Sequence, residues 1–181
     1  STYTGATIRL RRSSDNATSD FYSDVYGNLN NSLSAENAVN TWTARTSNLG
    51  CQGIAWSPSL NLFAATNYNG GAATTSAIQT SPDGITWTTR TTPSISVLSY
   101  IIWAPEVSLF VATSYQAGTS GVLTSPDGIN WTQRTTPNIA DGISAGLADV
   151  TWNGSLFVCV NQRTANTNWV ITSPDGINWT Q

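Results

Sequence analysis

The chain has 181 residues, of which 39% are hydrophobic, enough to bury a core and to make a single domain the default expectation. Its seven basic residues are all arginine, Lys, His and Met are absent, and only 9% of residues are charged, for a net charge of −3. That balance argues against general binding to nucleic acid or an anionic membrane, and the lack of His removes the Ser-His-Asp, Cys-His and His-metal arrangements.

In place of charge the polar positions carry Thr, Ser, Asn and Gly, a surface resembling that of extracellular or virion β-proteins. No apolar run approaches the roughly 20 residues of a membrane span, and no signal-peptide pattern opens the chain, so no membrane insertion is expected. Cys51 and Cys159 have neither metal-ligand nor redox spacing and read as two small buried apolar residues rather than a disulfide. Five Asn-x-Ser/Thr sequons, at Asn16, Asn30, Asn130, Asn153 and Asn178, are about what chance gives in so Asn-, Ser- and Thr-rich a chain.

Residues 1–40 form the first segment. Thr7–Arg11 and Asp20–Tyr26 are predicted strands, and Ser34–Val39 reads as a degenerate turn in which Glu36 and Asn37 replace Asp and Gly. Two readings stay open: a divergent first blade, or an attachment arm with Arg9, Arg11 and Arg12 set against Asp15, Asp20 and Asp24.

Residues 41–181 are repetitive. Trp42-Thr43-Ala44-Arg45-Thr46 anticipates Trp87-Thr88-Thr89-Arg90-Thr91 and Trp131-Thr132-Gln133-Arg134-Thr135. The first full unit predicts strands at Gly53–Trp56, Leu62–Thr66, Ser76–Thr80 and Thr86–Thr91. The second predicts Tyr100–Trp103, Leu109–Thr113, Gly121–Thr124 and Asn130–Thr135. The third predicts Asp149–Trp152, Leu156–Val160, Trp169–Thr172 and Asn178–Gln181, the last expected to be short because Arg-Thr-Thr-Pro does not follow it. Between third and fourth strands stands Ser-Pro-Asp-Gly, at 81–84, 125–128 and 173–176. Pro presets φ, Asp accepts backbone N–H bonds further on, and Gly takes positive φ, which makes each a tight turn. Short strands with a turn signal every 8–12 residues, in repeats of about 45, specify an all-β, β-propeller-like fold with three clear four-stranded blades and a candidate divergent fourth.

The pattern Ser-x-Asp-Gly-x-x-Trp resembles a shortened Asp-box (BNR-like) propeller repeat, lacking the residue that separates Asp from Gly in the sialidase form. The resemblance covers about residues 41–181 and implies the fold more than any activity. Separately, residues 3–17 resemble a segment of phage tail-fibre-like and virion-associated proteins, and of secreted proteins with arabinofuranosidase-like or lectin-like β-domains. That implies an extracellular or virion surface protein.

A sialidase-like site would need an Arg cluster, a Tyr–Glu pair and an acid, and a glycosidase needs two carboxylates across one cleft. Only Glu36 and Glu106 are glutamates, both expected in turns. Asp83, Asp127 and Asp175, with Gly84, Gly128 and Gly176, recur on equivalent turns and so spread around the fold as capping side chains instead of converging. No enzyme activity and no cofactor are expected, and a degenerate glycosidase is the remote reading. Arg45, Arg90 and Arg134 suggest pairing with a neighbouring blade, and the repeated Trp residues suggest packing within and between blades. The candidate ligand-binding residues lie in or beside the variable loops between second and third strands: Tyr68, Asn69, Tyr115, Gln116, Gln162, Arg163 and Trp169. The aromatic rings there could stack on a sugar, and Trp169 is alternatively an oligomer contact. Too few blades for the usual ring leaves strand edges to pair, so the expected function is a self-associating structural protein of an extracellular or virion surface (fibre, appendage or capsid-associated), with glycans as candidate ligands. The alternative is a monomeric lectin-like module of a larger adhesin or tail fibre.

Overall fold

The computed structural model describes residues 8–11, 18–23, 29–31, 44–45, 50–68, 77–95, 97–115, 121–137, 146–161 and 170–181. It divides into two units, Ser1–Ala44 and Arg45–Gln181. In the first unit β1 (Ile8–Arg11), β2 (Thr18–Ser23) and β3 (Leu29–Asn31) form an antiparallel sheet with β2 in the middle, Ile8 opposite Phe21 and Phe21 opposite Asn31. Strand β3 was not anticipated from sequence, and the expected turn at 34–39 lies outside the described residues.

The second unit is a stack of three antiparallel meanders, the blades of a β-propeller-type fold. Blade 1 comprises β4 (Cys51–Ser57), β5 (Leu62–Asn67), β6 (Ile78–Ser81) and β7 (Thr88–Arg90). Blade 2 comprises β8 (Leu98–Ala104), β9 (Leu109–Ser114), β10 (Val122–Ser125) and β11 (Thr132–Arg134). Blade 3 comprises β12 (Leu147–Trp152), β13 (Phe157–Asn161) and β14 (Val170–Ser173), with a single antiparallel bridge from Thr172 to Thr180 where a fourth strand would run. The first strand of each blade starts earlier than its apolar pattern suggests, because pairing continues across a register shift at 51/54, 98/101 and 147/149. The fourth strands start later than expected because residues 82–86 and 126–130 are held in the turn.

Each blade has a rear face, toward the preceding blade, and a front face, toward the following one. Rear-face residues Leu98, Ile101, Phe110, Ala112, Leu123 and Trp131 of blade 2 pack on front-face residues Ala64, Ala77 and Ile78 of blade 1. Blade 3 repeats this with Leu147, Val150, Phe157, Cys159, Ile171 and Trp179 on Leu109, Val111 and Val122 of blade 2. Hence β9, covered on both sides, is buried at all six positions, whereas β13 alternates because only its rear face is covered. Polar ties cross the same interfaces. Ser99 Oγ lies 2.9 Å from Leu147 O, Thr66 Oγ1 donates to Ser99 O at 3.3 Å, and Trp152 Nε1 donates to Glu106 at 2.7 Å.

Candidate interaction surfaces

The repeated turns engage the carboxylates of Asp83, Asp127 and Asp175 in backbone capping. In the second copy Ser125 Oγ donates to Asp127 Oδ1 at 2.9 Å and accepts from Gly128 N–H at 2.8 Å. Asp127 Oδ1 also accepts from the N–H groups of Ile129 and Asn130, each at 2.8 Å, and Trp131 Nε1 donates back to Gly128 O at 3.1 Å. The same net holds Asp83 and Asp175. Gly84, Gly128 and Gly176 have φ of 70°, 72° and 72°, as the turn requires. Partial burial raises the Asp127 pKa, but the Asn130 and Ile129 N–H groups, the Asn130 amide and the Ser125 hydroxyl outweigh it and hold the carboxyl at about 2. For Asp175 the Asn178 N–H leads the lowering, and for Asp83 the Thr86 N–H. Copies two and three add a bond that copy one lacks: Asn130 and Asn178 side chains donate to the second carboxylate oxygen at 2.7 and 2.8 Å, whereas the first copy has Thr86 there.

At Arg90 and Arg134 the Nε bond expected to reach a neighbouring blade is made within the blade instead. Arg90 Nε donates to Thr80 Oγ1 at 2.8 Å and Arg134 Nε to Thr124 Oγ1 at 2.7 Å, each within its own blade. Arg90 faces Ile78 across the β6–β7 ladder, so its side chain reaches along the sheet to the next hydroxyl. Arg90 also lines a cleft of about 560 Å³ with Ile129, Asn130 and Trp131 of blade 2.

Tyr68 and Tyr115 leave the second strands of blades 1 and 2 at equivalent positions, fixed by N–H bonds to Gly50 O at 2.7 Å and Val97 O at 3.0 Å. Tyr68 is 55% exposed. Tyr115 is half-buried, and its pKa is raised by burial first and then by Tyr100 and Asp149 beside it. Tyr100 and Asp149 were not singled out from sequence. They sit at the register shifts that open the first strands of blades 2 and 3, a feature the apolar alternation does not announce. Asn69, Gln116, Gln162, Arg163 and Trp169 lie outside the described residues.

The largest departure from expectation is at the two ends of the blade stack. Ile54, Ile101 and Val150 occupy one rear-face position, two residues before the tryptophans that pair with Phe63, Phe110 and Phe157. Their exposures are 60%, 4% and 3%. Ile78, Val122 and Val170 occupy one front-face position and are 0%, 0% and 45% exposed. Val160 is exposed at the front-face position where Thr66 and Thr113 are fully buried. Cys51 was expected to be buried and is exposed, accepting a hydrogen bond from Gln79 Nε2 at 2.6 Å, although its counterparts Leu98 and Leu147 lie in the core and Ala65 and Gln79 of the same sheet are themselves buried. Cys159 is buried in the second core, where burial and then the Asp149 charge push its thiol pKa well up.

No family model matches the sequence, and no curated protein matches it. Solved structures do share the fold. YCF48 from Cyanidioschyzon merolae is similar over 72% of this chain and 36% of its own, with a TM-score of 0.50 and 17% identity. A nidogen/laminin complex matches over 72% of this chain and 46% of that one (TM-score 0.48, 13% identity), and the GH74 enzyme of Niastella koreensis over 97% and 23% (TM-score 0.47, 17% identity). The chain thus spans less than half the length of each of these proteins. With the antiparallel four-stranded sheets, the likeness identifies the fold as all-β and of the β-propeller type.

Proposed function

We propose that this chain is a non-enzymatic structural module built from Asp-box-type propeller repeats, which works on an extracellular or virion surface by assembling through its blades. The observation that carries the reading is the contrast at equivalent positions, Ile54 at 60% exposure against 4% and 3% in the inner blades. Covering Ile54 and Val170 as their counterparts are covered would stabilise an assembly by about 1 kcal/mol each. The absence of catalysis is supported by the turns, which engage Asp83, Asp127 and Asp175, and by Glu106, which accepts the Trp152 indole N–H. The surface setting is supported by the composition, without Lys, and by the resemblance of residues 3–17 to virion-associated segments. Electron microscopy of the purified chain at micromolar concentration tests the reading. Rings, filaments or regular particles are expected, and dispersed monomers, or hydrolysis of any glycan, would overturn it.

A second reading, glycan recognition, is favoured by the exposed rings of Tyr68 and Tyr100, at 55% and 44%, the second beside Tyr115. Aromatic faces next to polar loops suit stacking on a sugar. A glycan array with the unmodified chain and with Tyr68→Ala and Tyr115→Ala tests it. Binding lost in either variant supports the reading, and no binding to any glycan removes it.

A further inference from the structure

Between the outer strand of blade 1 and the turn of blade 2 lies the cleft that Arg90 lines, which neither the assembly reading nor the tyrosine rings use. We propose that this cleft binds an acidic saccharide, with Arg90 taking the carboxylate of a uronic acid residue and the turn of blade 2 holding the sugar ring.

The cleft runs beside Arg90, Thr91 and Pro93 of blade 1 and is closed by Ile129, Asn130 and Trp131 of blade 2. Its volume of about 560 Å³ falls within the range of about 300–1,000 Å³ usual for small-molecule sites. The Arg90 side chain is held in place because its Nε is engaged by Thr80 Oγ1 at 2.8 Å. Among the described residues that hydroxyl is the only partner of the guanidinium. Its two Nη groups, a planar fork suited to a carboxylate, therefore stay available in the cleft. A side chain already fixed loses little conformational freedom on binding. Trp131 Nε1 is bound to Gly128 O at 3.1 Å and the ring is 7% exposed, so it supplies an apolar floor, while Ile129, 48% exposed, supplies an apolar wall. Asn130 gives its N–H and its amide to Asp127, at 2.8 and 2.7 Å, which leaves its Oδ1 to accept from a sugar hydroxyl. The same bonds, with those from Ser125 and Ile129, surround the Asp127 carboxylate with donors and limit its repulsion of an incoming anion.

The same residue types recur between blades 2 and 3. Arg134, Thr135 and Pro137 stand at the positions of Arg90, Thr91 and Pro93, and Ile177, Asn178 and Trp179 at those of Ile129, Asn130 and Trp131. Arg134 Nε is fixed by Thr124 Oγ1 at 2.7 Å, the Asn178 amide rests on Asp175 at 2.8 Å, and Trp179 and Ile177 are 7% and 46% exposed. Packing between blades accounts for the buried tryptophans. It does not account for an exposed isoleucine at both turns, nor for two arginines whose forks meet no carboxylate among the described residues. Two like sites on successive blades suit a chain of sugars, since a second contact within one ligand forms at high effective concentration. A saccharide is favoured over an acidic peptide because one cation is set among hydroxyl and amide groups over an apolar floor, the complement of a sugar ring carrying one carboxylate.

Isothermal titration calorimetry of the full chain with tetragalacturonate, its methyl ester and poly-glutamate tests this, with Arg90→Gln, Arg134→Gln, the double variant and Tyr68→Ala alongside. Tetragalacturonate is expected to bind the unmodified chain and Tyr68→Ala equally, about tenfold more weakly to each single arginine variant, and undetectably to the double variant. The ester, which has lost the charge, is expected not to bind. No binding of tetragalacturonate, binding that survives the double substitution, or equal binding of the ester overturns the proposal. Loss of binding in Tyr68→Ala with retention in the double variant places the site at the tyrosine loops instead and overturns it as well. Poly-glutamate bound as tightly as tetragalacturonate assigns the cleft to acidic peptides and overturns the saccharide. Ile129→Ser, which leaves both arginines in place, gives a second decision should glutamine disturb the outer strands: weaker binding is expected, and unaltered binding overturns the proposal.

Discussion

Gly84 and Gly128 each stand in Ser-Pro-Asp-Gly-Ile with nearly the same φ, 70° and 72°, but have different neighbours, so substituting each with alanine separates backbone strain from packing between blades. Alanine in the left-handed region costs about 1 kcal/mol, part of which is offset by a less flexible unfolded chain. That is the whole expected penalty for Gly84→Ala, whose Cβ meets nothing nearer than 3.9 Å. In Gly128→Ala the Cβ would approach Leu62 Cδ2 to 2.7 Å and Phe110 Cε2 to 3.4 Å, in a cluster whose Phe110 is fully buried. Overpacking of that kind adds about 2 kcal/mol. The two variants should therefore differ by about 4–8 °C in melting temperature, with Gly128→Ala the lower, given a few degrees per kcal/mol in a chain of this size. Urea and thermal unfolding at a dilution where the chain is monomeric make the comparison. Equal destabilisation would refute the claim that the turn glycines seat one blade on the next.

Asp127→Ala removes the acceptor for two N–H groups and a hydroxyl and should cost about 2 kcal/mol, read from the urea midpoint at neutral pH. Because the folded pKa of Asp127 lies at about 2, below its ordinary 3.8, its contribution is complete above about pH 4 and is lost as pH falls toward 2. Solvent screening leaves that contribution at about 1 kcal/mol, so the acid sensitivity of Asp127→Ala should be smaller than that of the unmodified chain over this window. Thr86→Asn should stabilise blade 1 by about 0.5 kcal/mol by supplying the side-chain bond that Asn130 and Asn178 already make, a shift measurable by calorimetry. Ser99→Ala should cost about 1–2 kcal/mol in a urea titration, since the fully buried Ser99 hydroxyl lies 2.9 Å from both Leu147 O and Thr113 Oγ1 and ties blade 2 to blade 3.

What could be read from the sequence was what the chain determines locally. The Ser-Pro-Asp-Gly turns announce themselves because their bonds close within five residues, and the Trp and Leu-Phe signals mark strands that repeat in register. What lies beyond local chemistry was not legible. Ile54 and Ile101 are the same residue in the same strand position, and only a neighbouring blade makes one 60% and the other 4% exposed. Cys51 misled as well. Arg90 and Arg134 repeat as inter-blade ties would, yet each Nε finds a hydroxyl in its own sheet. Tyr100 and Asp149 join Tyr115 because first strands pair across a shift in register, and period-two reading passes over such a shift.

Thiol labelling of the unmodified chain, followed as a function of protein concentration beside its sedimentation, tests the central claim most directly. Cys51 stands exposed on the rear face of blade 1, and Cys159 is buried whatever the state of association, so the labelled fraction reports that face alone. The account predicts that the labelling rate of Cys51 falls as the concentration rises and that the fall coincides with the increase in sedimentation coefficient. A labelling rate that stays constant while the mass stays that of one chain would contradict it.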